Sequence, residues 1–451
     1  MRMMKKLAWL IIVIIVPTLL FSNTMGLLRT SIIMSSHGTI LNLRPLHVEG
    51  KYIKDDLGNI VLLRGVCLYE IQSYIDHIKY DQPIATRVQV LKNLGINCVR
   101  LPINKADWDT NKDTNGDGVG CRDFNYQVID AFTAAGIHAF VGLHYGVSID
   151  EETSWANNPQ IVTNWYLNNI INRYKNNPGV HIYIWNEPHY ELWGGSDLGG
   201  GVSSGYWTAM QLVCASLHNA KPDALIVVHA DMYNEGGFCP VLRSNHINVG
   251  NVIYTWHYYY CYGPALQPYH PWLSGIDDPT YEELKQRGYP YYQSYAAGNL
   301  TKARQEFETS LYNRFLWVPQ ELNLTIINDE FGFTGNDMPY FSRRVCDICH
   351  WIGNVADCLY NGSLKQPPYT GDVYCPNCSY LIPQPQPYAE PGWPNCLSDF
   401  LSIMEKYDCN WQYFSWWPKE FGSYGLSDDP MTSLSVVGQV VAEYLNSTSL
   451  P

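Results

Sequence analysis

The sequence predicts an α/β fold, a (β/α)8 (TIM) barrel, on three observations. Short apolar runs recur eight times at wide spacing along the chain. Stretches of helical periodicity separate several of them. The runs are apolar on both faces instead of alternating, which implies a parallel sheet covered by helices on both sides. Eight strand–helix units are the number that closes such a sheet into a barrel.

The elements follow in order. Lys51–Ile53 and Ile60–Leu63, separated by Asp55-Asp56-Leu57-Gly58-Asn59, read as a β-hairpin with a Gly-containing turn. The eight apolar runs are 61–66, 97–101, 137–143, 180–185, 225–229, 252–256, 324–327 and 411–416. Helical patterns are clearest at 84–94, 125–135, 161–174 and 206–219, each ending near a Gly, Asn or Pro that stops a helix. Residues 258–321 and 331–410 are long and rich in Pro, Tyr and Trp, and read as enlarged loops after strands six and seven. In a barrel such loops stand on the catalytic face. No repeat and no Ser/Thr/Pro linker marks an appended module, so residues 44–451 read as one domain.

Composition narrows the function classes. With 46% hydrophobic and 16% charged residues, the 451-residue chain can build a large core. A formal net charge of −13 and the absence of a basic run argue against nucleic acid or an anionic membrane as partner. Arg2, Lys5 and Lys6 precede an apolar run over 7–21, the layout of a secretory leader. That run is short for a membrane span, so residues 1–43 are expected to be a signal peptide and tail of a secreted protein. A tethered form would follow only from an uncleaved leader.

Thirteen cysteines in an exported chain suggest disulfides, and the odd number leaves at least one thiol otherwise engaged. Cys346-x-x-Cys349 and Cys375-x-x-Cys378, with His350, Cys358 and Cys396 nearby, read either as a structural zinc site or as disulfides pinning a long loop, with disulfides preferred. Asp113, Asn115 and Asp117 match the start of a calcium-binding loop. The bidentate Glu of that loop is missing, because Phe124 holds the twelfth position. A solvated Asp/Asn/Gly turn is therefore the alternative account.

Chemistry concentrates in two strings, Trp185-Asn186-Glu187-Pro188 and Asn328-Asp329-Glu330-Phe331-Gly332. Each sets a carboxylate just past an apolar run. By the strand count Glu187 closes strand four and Glu330 strand seven, so both face one barrel mouth. Paired carboxyls across a scissile bond, one protonated and one ionised, are what glycoside hydrolysis requires.

With these strings, further motifs stand in matching order: Leu63-Arg64-Gly65-Val66, Leu94 to Pro102, Leu143-His144, Asn186-Glu187-Pro188-His189, His257-Tyr258-Tyr259, Glu330-Phe331-Gly332 and Ser415-Trp416-Trp417-Pro418. The chain resembles glycoside hydrolase family 5, most closely its endo-β-1,4-glucanase branch. That resemblance implies Glu187 as acid/base and Glu330 as nucleophile of a retaining enzyme. It further implies that Arg100 steadies Glu330, that His144 and Asn186 contact the reactive sugar, that His257 and Tyr259 tune Glu330 and the leaving side, and that Trp416 is a stacking platform. Cys67, Gly142 and Asp329 depart from the family pattern, where Asn, Asp and Gly are usual, and leave the substrate preference open. The expectation is a monomeric, cofactor-independent endoglucanase acting on cellulose or a related β-glucan. The alternatives are a β-mannanase or mixed-linkage glucanase on the same site, or a carbohydrate-binding barrel without catalysis.

Overall fold

Parallel pairing of eight strands closes a barrel in a computed structural model of the chain. It describes residues 43–68, 84–113, 116, 118–145, 147–199, 201–230, 240–259, 294, 297–332, 343–345, 352–354, 359–360, 363–364, 373–374, 381–382, 393–414, 434 and 436–448. A hairpin, β1 (Leu46–Glu49) and β2 (Tyr52–Asp55), precedes the barrel. The barrel strands are β3 (Arg64–Cys67), β4 (Cys98–Asn104), β5 (His138–Tyr145), β6 (Val180–Trp185), β7 (Ile226–His229), β8 (Val252–Tyr259) and β9 (Ile326–Gly332). Short antiparallel strands follow: β10 (Arg343–Val345) with β11 (Ile352–Asn354), then β12 (Leu359–Tyr360), β13 (Ser363–Leu364), β14 (Val373–Tyr374) and β15 (Leu381–Ile382) in one sheet. The last strand, β16 (Asn410–Phe414), pairs with both β9 and β3 and closes the ring. The strand order expected from the apolar runs is therefore observed, while residues 415 and 416 of the eighth run lie outside the described residues.

The expected hairpin is present but displaced. Its turn is at Gly50, whose φ is 62°, and β1 pairs with β2. The Asp55–Asn59 segment is a second turn, in which Asp55 Oδ1 accepts from the backbone N–H groups of Leu57 and Asn59, both at 2.9 Å. Beyond it only a single bridge joins Lys54 to Ile60. Two turn-forming segments sit nine residues apart or less, and the asparagines Asn251 and Asn323 select the first. Asn251 Oδ1 accepts from Val48 N–H at 2.8 Å, and Asn323 Oδ1 accepts from Lys51 N–H at 3.1 Å.

The hairpin covers the N-terminal end of the barrel. Leu46 and Ile53 pack with Leu63, Cys98, Phe140, Leu225, Ile253 and Ile327 in an apolar layer inside the strands. A second, larger core lies between sheet and helices. Asn97 and Asn410 stitch strand starts together: Asn97 accepts from Arg64 N–H and donates to Leu62 O, both at 2.8 Å, and Asn410 accepts from Leu63 N–H and donates to Ile326 O at 3.1 Å. Among the described residues Cys98, Cys121, Cys214 and Cys409 are buried free thiols, and Cys67 on β3 is buried as well. No helix among the described residues is long and apolar enough to cross a membrane.

Irregular pairing is confined to the C-terminal halves of strands. Between β5 and β6, Gly142 faces Tyr183 but Leu143 faces Trp185, so Ile184 is an extra residue in β6. One hydroxyl satisfies the backbone groups this bulge disrupts. Tyr166 Oη, on the helix Gln160–Tyr166, accepts from Leu143 N–H at 3.1 Å and lies 2.7 Å from the carbonyl oxygens of both Tyr183 and Ile184. A bulge at this point turns the end of β6.

His138 and His181 form a buried pair with fixed proton positions. His181 Nδ1 accepts from Leu225 N–H at 3.1 Å, which leaves its Nε2–H to donate to His138 Nδ1 at 2.9 Å. A proton added to either acceptor nitrogen would set two donors against each other. Burial pushes His138 down to about 4 and holds His181 well below its ordinary value, with His138 and Lys221 adding to the effect. Both rings are thus neutral in the fold and basic once unfolded, so stability falls as pH drops from 6.5 towards 4. His138 alone accounts for roughly 2 kcal/mol by pH 5. Urea unfolding at pH 7 and pH 5 should show this loss in the wild type and a smaller one in His138→Gln.

Candidate active site

At the centre of the described barrel mouth is Arg100, which projects from β4 and is 1% exposed. Its Nη1 donates to Glu330 Oε2 at 2.6 Å and to the Asp329 carbonyl at 3.3 Å. Nη2 donates to Tyr183 Oη at 2.7 Å and to Asn186 Oδ1 at 2.5 Å, and Nε lies 3.4 Å from Asp329 Oδ2. The guanidinium also stacks on the Tyr183 ring, 4.3 Å from its centroid. A planar five-donor fork suits such divided bonding. Contact with it stabilises Glu330 as a carboxylate.

Glu187 follows β6 and adopts φ 45°, a left-handed conformation uncommon outside Gly, Asn and Asp. Its side chain is half exposed towards the mouth, and Oε1 accepts from His257 Nδ1 at 2.8 Å. His257, on β8, turns its Nε2 to Glu330 Oε2 at 3.3 Å. The imidazole therefore bridges the two glutamates, one oxygen of each lying within 4.8 Å of the other. Burial alone would lower His257, but the charge of Glu330, the hydrogen bond and charge of Glu187, and Asp329 together raise it above its ordinary value.

Two other histidines of the mouth, His144 and His229, are neutral. Burial, then Arg100, holds His144 well below its ordinary range, with Glu330 opposing and His257 adding. His229 is lowered first by burial and then by His257, Arg100 and His144. Its Nδ1 accepts from Glu187 N–H at 3.3 Å, leaving Nε2–H for Tyr183 Oη at 2.5 Å. Tyr183 Oη in turn donates to Asn186 Oδ1 at 2.9 Å. This relay fixes the asparagine amide so that its oxygen faces the guanidinium.

The structure therefore brings together Glu187, Glu330, Arg100, His144, Asn186 and His257. Tyr259 ends β8, and only its backbone is described; Trp416, Asn115 and Asp117 lie outside the described residues, as do the loop cysteines. Asp113 is described, and its carboxylate accepts from Gly116 N–H at 2.7 Å and Gly118 N–H at 2.9 Å, the bonding of a polar turn. Two sets of ligand-type groups converge among the described residues, His229–His257–Asp329 and Glu187–His257–Glu330, and both belong to this centre.

Two departures from the family pattern have a physical account. A Cβ at Gly142 would lie 2.2 Å from the Tyr183 carbonyl oxygen and 2.3 Å from its ring, so the Tyr183 phenol occupies what a side chain at 142 would need. Asp329 is the extra residue of a second bulge, since Trp256 faces Asn328 and His257 faces Glu330. The bulge lets two consecutive carboxylates reach the same guanidinium. Thr255 Oγ1 donates to Asp329 Oδ1, fixing that carboxylate from β8.

Sequence reasoning did not find Tyr183, His229 or Glu152. The first two sit inside apolar runs, where strand alternation makes every second residue an inward candidate. Glu152 lies in the helix Ile149–Asn157, is 2% exposed, and receives three donors from the segment after Glu187. These are His189 N–H at 2.8 Å, His189 Nδ1 at 2.7 Å and Trp193 Nε1 at 3.0 Å. The hydrogen bond to Glu152 raises His189 above its ordinary value, with burial opposing. Glu152 thus anchors the chain just beyond the left-handed Glu187.

A closed parallel barrel with two glutamates bridged by an imidazole at its C-terminal mouth defines a glycoside hydrolase. The sequence profile described as cellulase (glycosyl hydrolase family 5) matches residues 63–349, and the chain belongs to that family. No curated protein sequence matches it. Among solved structures it is similar to a β-glucanase from Saccharophagus degradans (13% identity, 90% of this chain and 94% of that one, TM-score 0.55). It is also similar to an endocellulase from Pyrococcus horikoshii crystallised with cellotetraose (14% identity, 90% and 100% covered, TM-score 0.52). At these identities the likeness concerns the fold.

Removing the Glu152 anchor should weaken the fold and loosen the position of Glu187. Glu152→Ala leaves three donors unsatisfied and is expected to lower unfolding free energy by about 1–3 kcal/mol. Urea unfolding checks that loss, and a fall in kcat larger than any change in KM checks the effect on Glu187.

Proposed function

We propose that the protein is a secreted endo-β-1,4-glucanase that cleaves cellulose or a related β-glucan with retention of configuration. The proximity of Glu187 and Glu330, one oxygen of each within 4.8 Å of the other, carries the reading. Retaining enzymes hold their carboxyl groups about 5–5.5 Å apart, whereas inverting enzymes need about 6.5–9.5 Å to admit a water. Glu330, held by Arg100, attacks the anomeric carbon as the glycosidic C–O bond breaks. Glu187 gives its proton to the leaving oxygen, then takes one from the water that hydrolyses the glycosyl–enzyme ester. Asn186, which shares the Arg100 guanidinium with Glu330, and His144 are proposed to contact the sugar, with Trp416 as the platform under it.

The choice of β-glucan is supported by family membership and by the β-glucanase and endocellulase among the similar structures. Export is supported by the basic, then apolar, first residues of the chain. Disulfides among the loop cysteines would accompany it, and a monomer needing no cofactor suffices for this chemistry.

Reducing-sugar release from carboxymethylcellulose, lichenan and mannan tests the substrate, with the cellulose derivative expected to be cleaved. Proton NMR of the first product should show the β-anomer before mutarotation. Glu330→Gln and Glu187→Gln should each lower kcat at least about 100-fold. Cleavage of mannan alone, or an α-anomer as first product, overturns the corresponding part of the reading.

A further inference from the structure

Asp329 is a buried carboxylate that the double-displacement scheme does not use. It is 1% exposed, occupies the bulge of β9 and directly precedes the nucleophile. Its Oδ2 lies 3.4 Å from Arg100 Nε, and its Oδ1 lies 3.7 Å from His257 Nε2. Arg100 Nε, His257 Nε2 and Asp329 Oδ2 are all buried and none makes a hydrogen bond. Charge is what links the three.

We propose that Asp329 is a third carboxylate of the catalytic centre, a positioning residue that neutralises Arg100 and so keeps His257 protonated while negative charge passes between Glu330 and Glu187. The inference rests on the roles given above to those two glutamates. Before reaction Glu330 is ionised and Glu187 carries the proton. In the first step a Glu330 oxygen bonds to the anomeric carbon, the glycosidic C–O bond breaks, and the proton of Glu187 goes to the leaving oxygen. Glu330 is then a neutral ester and Glu187 an anion, so the total charge is unchanged but has moved from one face of His257 to the other. A protonated imidazole, 2.8 Å from Glu187 and 3.3 Å from Glu330, serves both states.

That arrangement needs a permanent partner for Arg100. With Glu330 esterified, the guanidinium would otherwise stand uncompensated beside His257 and disfavour its proton. The ionisable groups around Asp329 and His257 are Arg100 from β4, the neutral His144 from β5, Tyr183 from β6 with Glu187 just beyond it, His229 from β7 and Glu330 from β9. Burial, above all, keeps Tyr183 protonated and His229 neutral. The charges left to balance are therefore Arg100 and His257 against Asp329 and whichever glutamate is ionised.

The test is the titration of His257, followed by NMR of 13Cε1-labelled histidine and assigned with His257→Gln. In the wild type His257 should be protonated at pH 7. In D329N its apparent pKa should fall by about one unit or more, and the alkaline limb of kcat/KM should move to lower pH by a similar amount. A packing role alone would reduce kcat with both titrations in place. Identical His257 titrations in wild type and D329N overturn the proposal. So does a wild-type His257 already neutral at pH 6, a result that needs no variant to fold. The imidazole measurement uses no substrate, so it stands apart from sugar release, whose failure would instead overturn the functional reading.

Discussion

Burying one guanidinium is the constraint from which the rest of the mouth follows. A charge taken out of water costs several kcal/mol unless it is paired and hydrogen-bonded. Arg100 meets that requirement with groups from two other strands: Glu330 and Asp329 on β9, and Tyr183 on β6 with Asn186 just beyond it. Its partners must be where they are, or the charge is left alone. The barrel supplies strand ends at fixed spacing, and Arg100 draws the functional side chains from those ends to one point.

Regular strands alone would not deliver this geometry. Successive residues of a strand face opposite ways, yet Asp329 and Glu330 reach the same cation, and Glu187 turns back at positive φ. Local irregularities do the aiming, and each has a compensating group. Tyr166 serves the disrupted backbone of β6, Glu152 ties down the chain after Glu187, and Thr255 holds Asp329. Strain of this kind persists when the surroundings over-determine it.

The eight strands were legible in the sequence because each is a short apolar run flanked by turn residues. The convergence of Glu187, Glu330, Arg100, His144, Asn186 and His257 on one mouth was legible because strings at strand ends carry the family pattern. Tyr183 and His229 were not, since a tyrosine and a histidine within apolar runs look like core. Their importance arises only when β6 and β7 stand beside β4. Glu152 escaped notice because it sits among acidic neighbours at a helix start, where Asp150 and Glu151 look equivalent. Asp329 was visible as a departure, but its meaning needed the bulge, which no residue type announces. The hairpin was displaced because two adjacent segments carry turn chemistry, and distant asparagines decide between them.

Four buried cysteines differ from an ordinary thiol in how readily they ionise. Burial pushes Cys98 and Cys121 up to about 12, and also raises Cys214 and Cys409. Thiolate is the species that attacks a disulfide, and at pH 8 such a thiol is ionised in only about one molecule in ten thousand. Burial thus slows thiol–disulfide exchange at these four positions. At Cys98, which opens β4, and Cys409, just before β16, the buried sulfur serves as a small apolar group.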